Sequence, residues 1–126
     1  MTVRARKSVS IRRAYDPAAT GEGFRVLVDR FWPRGCRREE MGIDAWEREL
    51  APTSDLIHWF GHDPGRWDAF RERYRKELSD PGQHARLEAL LEAAGRKHIT
   101  LVYGARSPTE NQAVVLRDVL LEMRTH

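Results

Sequence analysis

Charged and aromatic side chains crowd the segment that follows one short apolar run of the chain. Residues 26–28 are Val-Leu-Val, and Asp29, Arg30, Trp32 and Arg34 come soon after them. Ligands of open α/β sheets bind beyond the carboxyl ends of the strands, and the planar fork of arginine suits phosphate and carboxylate groups. The segment therefore predicts a site for an anionic ligand that carries a flat group, and it leaves the reaction unspecified.

One alternating pattern and two more continuously apolar stretches predict the strands that must position this segment. The predicted strands are Val9–Tyr15, Phe24–Val28 and His98–Tyr103, and the middle one is continuously apolar at its end, as in a central strand. Capping residues and helical spacing predict the remaining elements. These are a short helix capped by Asp44 with Glu47 in a capping box, a helix from Thr53 or Ser54, a helix from Asp63, a helix over residues 83–94, and a final helix capped by Thr109 with Gln112 at its capping-box position.

A long helical stretch separates the second and last strands, which predicts that they run parallel. Their carboxyl ends then share one edge of the sheet. The last strand brings Tyr103, Arg106, Ser107 and Asn111 to that edge. The predicted fold class is α/β: a small, mainly parallel sheet of three or four strands packed with helices. It forms a single compact domain over residues 9–126, preceded by a basic arm at residues 1–8.

The leading functional hypothesis is an arginine-rich cleft that binds an anionic small molecule, such as a nucleotide or a phosphorylated metabolite. The predicted ligand-binding residues are Arg30, Trp32, Arg34, Trp59, Tyr103, Arg106 and Asn111, and the candidate catalytic residues are Asp29 and His62. A carboxylate beside arginines suits a hydrolase or transferase better than redox chemistry. No cofactor is predicted, because neither a glycine-rich dinucleotide fingerprint nor a phosphate-loop lysine motif occurs in the sequence.

Several of these residues also have a structural interpretation. Asp29 can brace the loops by pairing with an arginine, and that arginine can still contact a ligand. Trp32 and Trp59 can pack against the core instead of stacking on a ring. His62 can cap a helix end beside Asp63 instead of acting as an acid or base.

Two further groups of residues were candidates for chemistry on spacing alone. His58 and His62 are four residues apart, as in some metal sites, but the intervening glutamate of metalloprotease helices is missing, so no metal site is predicted. Cys36 lies among Arg34, Arg37 and Arg38, which would lower the pKa of its thiol. The phosphate-loop spacing of cysteine phosphatases is absent, because Gly42 stands where that loop has arginine.

The charge balance admits nucleic acid as an alternative partner. The 126 residues include 22 basic and 19 acidic side chains, a formal net charge of +3. So small an excess equally fits the arginine-rich composition that a GC-rich genome produces. A nucleic-acid-binding module would use the arm residues Arg4, Arg6 and Lys7 with a phosphate track of Arg34, Arg37 and Arg38. In a third interpretation the Trp32 loop binds a protein partner, and the oligomeric state stays open.

A cytoplasmic location is expected from the same composition. The single cysteine excludes an internal disulfide and suits a reducing compartment. The sequence has no apolar run near the ~20 residues of a membrane span, so no membrane partner is expected. The N-terminal residues also lack the apolar segment of a signal peptide.

Four stretches of the chain resemble domain of unknown function family 488, in its short YeaO-like group. Residues 25–35, RVLVDRFWPRG, are close to the family pattern RxLVDRxWPRG. The other stretches are Trp46 with residues 49–52, residues 59–63 with Trp67, Phe70, Tyr74 and residues 77–78, and residues 101–103 with Asn111 and residues 113–116. The resemblance spans residues 9–121 and implies a compact α/β sandwich whose biochemical function is not established.

The same resemblance implies a set of site residues. The positions that match the family motifs are Asp29, Arg30, Trp32, Pro33, Arg34, Trp59, His62, Tyr103 and Asn111. The chain departs from the pattern at Cys36, where the family often has an aliphatic residue. It also has Ser107 and Gln112 near positions that are commonly acidic and histidine, which weakens an acid–base role for that loop.

Overall fold

Four parallel strands form one sheet in the computed structural model, which describes residues 8–124. The strands are β1 (Val9–Arg13), β2 (Phe24–Leu27), β3 (Ala45–Trp46) and β4 (Ile99–Tyr103), in the spatial order β1-β4-β2-β3. Every neighbouring pair is parallel. The predicted small α/β fold and the parallel course of β2 and β4 are therefore confirmed. The predicted basic arm lies outside the described residues, apart from Ser8.

Five α-helices complete the described part of the chain. They are α1 (Arg38–Met41), α2 (Ser54–Phe60), α3 (Trp67–Leu78), α4 (Pro81–Ala94) and α5 (Gln112–Arg124). Short 3-10 turns at Arg48–Leu50 and Pro64–Arg66 precede α2 and α3. Among the described helices, none combines the length and the apolar character that crossing a membrane requires.

The main core lies between the sheet and helices α2 to α5. Because side chains alternate between the two faces of a strand, Val26 and Val28 point to the same face as Leu101 of β4, where they join the buried side chains of these helices. Leu27 and Val102 point to the opposite face, which a smaller cluster around Met41 of α1 covers. The sheet is thus buried on both faces but carries its long helices on one.

Helix α3 supplies an aromatic stripe to this core, as its spacing predicted. Phe70, Tyr74 and Leu78 are buried, and Trp67 is half-buried beside them. The ring of Phe70 stacks on Phe60 of α2 at a centroid distance of 4.3 Å. The Tyr74 hydroxyl donates to the carbonyl of Leu50, so the polar end of this fully buried ring has a partner.

The prediction of a short helix after Asp44 is wrong. Ala45 and Trp46 instead form β3, which pairs with Val26 and Leu27 of β2, and Asp44 Oδ2 accepts a hydrogen bond from the backbone N–H of Arg25 at 2.9 Å. The capping-box spacing is a local signal, and pairing to the exposed edge of β2 overrides it.

The predicted cap of the last helix is also corrected. Asn111, and not Thr109, caps α5, because Asn111 Oδ1 accepts from the Val114 N–H at 3.2 Å. This shift releases the side chain of Gln112 from the predicted capping box and lets it reach the loop after β2.

An ion cluster supports the sheet face that α1 covers. Glu22 forms an ion pair with the Arg25 guanidinium, and its other oxygen lies 3.0 Å from Arg12 Nε. Arg25 Nε also donates to the carbonyl of Met41 at 2.9 Å. The Arg25 and Glu22 side chains are only 6% and 13% exposed, so this pair is held largely out of water.

Candidate functional site

Asp29 is the centre of a polar junction between two strand ends. It follows β2, and its carboxylate accepts hydrogen bonds from the Gly104 N–H, just after β4, at 2.9 Å and from Gln112 Nε2, at the start of α5, at 2.5 Å. Its backbone carbonyl accepts from Trp46 Nε1 at 2.7 Å. The expectation that distant segments meet at one edge of the sheet is therefore confirmed at the loops after β2 and β4.

The Asp29 carboxyl is difficult to ionise in this position. Burial raises its pKa from 3.8 to about 6, although the hydrogen bonds from Gly104 and Gln112 act in the opposite direction. A carboxyl that titrates so close to neutral pH is typical of functional sites, although structural networks also produce such shifts.

Gly104 leaves just enough space for this junction. A Cβ at this position would lie 2.7 Å from Asp29 Oδ2 and 3.5 Å from Pro33 Cβ. Contact at 2.7 Å is far inside van der Waals distance, so any side chain here must push the carboxylate away from the Gly104 N–H. The absence of a side chain at residue 104 is thus a requirement of the Asp29 geometry.

We expect the substitution Gly104→Ala to lower the free energy of unfolding by about 1–3 kcal/mol, the usual range for overpacking. In an Asp29→Ala background the same change should cost much less, because the atom that clashes is gone. Urea unfolding of the four members of this double-mutant cycle measures the coupling. Additive effects of the two substitutions would show that the Cβ clash is relieved elsewhere.

A cleft opens beside the junction and has two lobes. The larger lobe, about 500 Å³, is lined by Phe60, His62, Gly104, Ala105, Arg106, Ser107 and Glu110. The smaller lobe, about 240 Å³, is lined by Asp29, Arg30, Phe31, Pro52, Ile57, His62, Gly104, Ala105 and Gln112. His62, Gly104 and Ala105 border both lobes, so one ligand can extend from one lobe into the other.

His62 occupies the shared rim in an unusual backbone conformation. Its φ is +57°, in the left-handed region that residues other than glycine seldom adopt. Gly61 ends α2 just before it, and the Asp63 side chain, not His62, caps the following 3-10 turn. The exposed imidazole is therefore free of the predicted capping role and borders the cleft.

The predicted arginines do not all converge. Arg106 is exposed in the larger lobe, and within residues 8–124 its guanidinium group has no protein partner. Arg30 borders the smaller lobe but donates to the carbonyls of Pro52 at 2.8 Å and Ala51 at 3.1 Å. Arg34 lies in the turn after Pro33, where its own carbonyl accepts from the Tyr15 hydroxyl. Within the described residues, no arginine forms an ion pair with Asp29.

The other predicted ligand-binding residues have structural partners. Trp32 packs edge-on against Trp46 at a centroid distance of 5.4 Å and donates to the carbonyl of Cys36. The guanidinium groups of Arg66 and Arg73 both lie over the Trp59 ring, at 5.1 and 4.1 Å from its centroid.

Tyr103 and Asn111 are also held by the fold. Tyr103 is a buried residue of β4, 3% exposed, and Asn111 is 2% exposed. Besides capping α5, Asn111 donates to the Ser107 carbonyl at 2.8 Å, so both ends of its amide are used. A ligand role for either residue would need contacts beyond those of this arrangement.

The Cys36 thiol does not fit the sequence-based expectation of a lowered pKa. Burial raises the pKa of Cys36, and the negative charges of Asp29 and Glu40 act in the same direction. The flanking arginine side chains are exposed, so their proximity in sequence does not place their charge on the sulfur.

Several residues that line the cleft were missed from the sequence as site residues, among them Phe31, Gly104, Glu110 and Gln112. Phe31 is 61% exposed at the smaller lobe, and its place beside Arg30 in an otherwise charged loop was the available signal. Gln112 was interpreted as a capping residue, so its contact with Asp29 had no sequence signal.

Comparison with known proteins places the chain within one family. The chain belongs to the family described as "Inactive DUF488-N3 subclade", whose model matches residues 8–126. The chain is 36% identical to the uncharacterized protein YeaO of Escherichia coli K12 over 113 residues, covering 90% of this chain and 96% of YeaO. This confirms the resemblance to family 488 and its YeaO-like group.

Mycobacterial relatives show a similar level of identity. The chain is 37% identical over 112 residues to the uncharacterized proteins Mb3100c of Mycobacterium bovis and Rv3073c of Mycobacterium tuberculosis, covering 89% of this chain and 92% of each relative. No solved structure matches the chain.

Proposed function

We propose that the two-lobed cleft binds an anionic small molecule, such as a nucleotide or a phosphorylated metabolite. The observation that carries the proposal is the exposed Arg106 guanidinium, without a protein partner in the described residues, beside His62 at the carboxyl edge of β2 and β4. Ligands of open α/β sheets bind at this edge. Arg30 adds positive charge to the second lobe, since its bonds to two carbonyls leave three of its five N–H donors unused.

Binding without turnover fits the family better than catalysis. The description of the subclade as inactive argues against turnover. The raised pKa of Asp29 would suit a general base of a hydrolase or transferase, but both carboxylate oxygens already accept hydrogen bonds from the protein. We therefore assign Asp29 and His62 to ligand recognition, with chemistry as the less favoured role.

Replacing Arg106 by alanine should weaken the binding of inorganic pyrophosphate by roughly 10-fold to 150-fold. This range corresponds to the ~1.5–3 kcal/mol of a hydrogen bond to a charged group. Isothermal titration calorimetry at fixed salt measures the effect. Arg86→Ala is the matched control, because Arg86 is an exposed arginine on α4, away from the cleft. Equal affinities of the two variants would remove Arg106 from the anion site.

Nucleic-acid binding is the second candidate, supported by three exposed arginines between β2 and the first residue of α1, that residue included. Arg34, Arg37 and Arg38 are exposed, and Arg38 lies 5.9 Å above the Trp32 ring. The arm residues Arg4, Arg6 and Lys7, which this hypothesis also uses, lie outside the described residues. A gel-shift series separates the candidates, because affinity for a phosphate track falls steeply as salt rises and depends on these arginines instead of Arg106.

A further inference from the structure

The smaller lobe of the cleft is lined by both polar and apolar groups. Its lining includes the polar side chains of Asp29 and Gln112 and the apolar side chains of Phe31, Pro52 and Ile57. Its volume of about 240 Å³ equals roughly eight water molecules at ~30 Å³ each. That volume is enough for a flat heterocycle of one or two rings.

The Asp29 carboxylate in this lobe can accept further hydrogen bonds. An ionised carboxylate offers about four lone-pair positions, and the protein uses one on each Asp29 oxygen, for the Gly104 N–H and for Gln112 Nε2. The remaining positions suit an N–H donor from a ligand. The contacts with Gly104 and Gln112 also fix the orientation of the carboxylate before any ligand arrives.

Phe31 provides a flat apolar surface at the same lobe. Its side chain is 61% exposed, although it lies next to a buried strand. Of the described residues, only Phe31 and Tyr15 are exposed large apolar side chains, and Tyr15 is less exposed, at 47%. Of the two, Phe31 borders the cleft. Nucleic-acid bases stack on exposed aromatic rings of this kind. The Asp29 carboxylate in the same lobe offers such a base a hydrogen-bond acceptor.

We infer that the smaller lobe recognises a flat nitrogen heterocycle with an N–H donor, which stacks on Phe31 and donates to Asp29. This inference rests on the proposed function, because the phosphate of the same ligand lies in the larger lobe with Arg106. The ligand class is then a nucleoside phosphate, and a sugar phosphate without a base is a poorer ligand. The residues shared by the two lobes, His62, Gly104 and Ala105, lie where the two parts of the ligand join.

Calorimetric titrations with four probes test this inference: inorganic pyrophosphate, ribose 5-phosphate, adenosine 5′-monophosphate and guanosine 5′-monophosphate. We expect at least one nucleotide to bind about tenfold or more tightly than ribose 5-phosphate, a gain in the range of base–aromatic stacking. Phe31→Ala should abolish that advantage and leave the affinity for ribose 5-phosphate unchanged. Tyr15→Ala, which removes the other exposed aromatic ring, should leave the advantage intact.

The substitution Asp29→Asn gives a second readout. Asparagine keeps the shape of the side chain but offers one acceptor oxygen where aspartate offers two. The affinity for the nucleotides should therefore fall relative to the affinity for ribose 5-phosphate.

The outcomes separate this inference from the proposed function. If ribose 5-phosphate binds as tightly as the nucleotides, and neither Phe31→Ala nor Asp29→Asn changes that ratio, base recognition is overturned and the anion site stands. If free adenosine or guanosine binds in a Phe31-dependent way while pyrophosphate and ribose 5-phosphate do not bind, the proposed anion site fails and the ring site stands. If none of these compounds binds, both are overturned.

Discussion

Replacing Asp29 by asparagine should raise the free energy of unfolding at pH 8 by about 1–3 kcal/mol. The folded protein holds this carboxyl with a pKa of about 6 against a reference value of 3.8, so ionising it in the fold is costly. A difference of about two pKa units corresponds to about 3 kcal/mol. Asparagine carries no charge and can keep both contacts of the carboxylate. The Oδ1 of the asparagine still accepts from the Gly104 N–H, and its Nδ2 donates to the Gln112 amide oxygen once that amide is flipped.

The pH dependence of this effect has a definite sign. Between pH 3.8 and about 6 the folded state binds more protons at Asp29 than the unfolded state does, so the contribution of this residue to stability falls as pH rises. Well below pH 3.8 the carboxyl is protonated in both states. The advantage of Asp29→Asn should therefore be small at pH 4, grow through pH 5, and level off above pH 6.

Urea unfolding of the wild type and of Asp29→Asn at five pH values from 4 to 8 measures this curve. Glu72→Gln is the matched control, because Glu72 is exposed in the middle of α3 and the substitution should change stability by less than about 0.5 kcal/mol at every pH. A stabilisation that is the same at pH 4 and pH 8 would contradict the assigned cause. A variant that is more stable but binds nucleotides less well would show that the charge is kept for recognition.

The features predicted from sequence were those that depend on apolar patterning. Apolar residues at 26–28 and, apart from Thr100, at 99–103 indicated buried strands. The helical crossover between them indicated their parallel course. This was enough to bring Asp29 and Arg106 to one edge of the sheet. Apolar burial is the dominant contribution to the stability of such a domain, so a pattern that satisfies it has few alternative folds.

The errors came where local signals compete with distant partners. Asp44 and Glu47 have the spacing of a capping box, but the edge of β2 pairs with Ala45 and Trp46. Thr109 is a good cap by type, yet Asn111 caps α5. A local motif contributes about 1 kcal/mol, which tertiary hydrogen bonds easily outweigh.

The location of the site was predicted from sequence, but the orientation of its side chains was not. The direction of a long side chain depends on partners that are far away in sequence, such as the carbonyls of Ala51 and Pro52 that Arg30 contacts. The contact between Asp29 and Gln112 joins residues 83 positions apart. Residue type and spacing indicate which groups reach the sheet edge, and packing decides which of them face the cleft.

The ion cluster of Glu22, Arg25 and Arg12, on the sheet face that α1 covers, is where we expect the second large effect on the free energy of unfolding. Glu22→Gln should lower the free energy of unfolding by about 3 kcal/mol, at the lower end of the range for breaking a buried ion pair. The buried Arg25 guanidinium would lose its counter-charge, and its Nη2 already has no partner among the described residues. Arg12 adds less, because its side chain is 35% exposed and water screens its charge.

The loss should come from the orphaned charge of Arg25 and not from the shape of residue 22. In the Glu22→Gln background, the further change Arg25→Met removes that charge, so it should cost less than Arg25→Met does in the wild type. Urea unfolding of the three variants measures this coupling, and Glu39→Gln, at an exposed carboxylate on α1, controls for the change in net charge. If Glu22→Gln is no less stable than Glu39→Gln, water reaches the Arg25 guanidinium and the cluster is not a buried one.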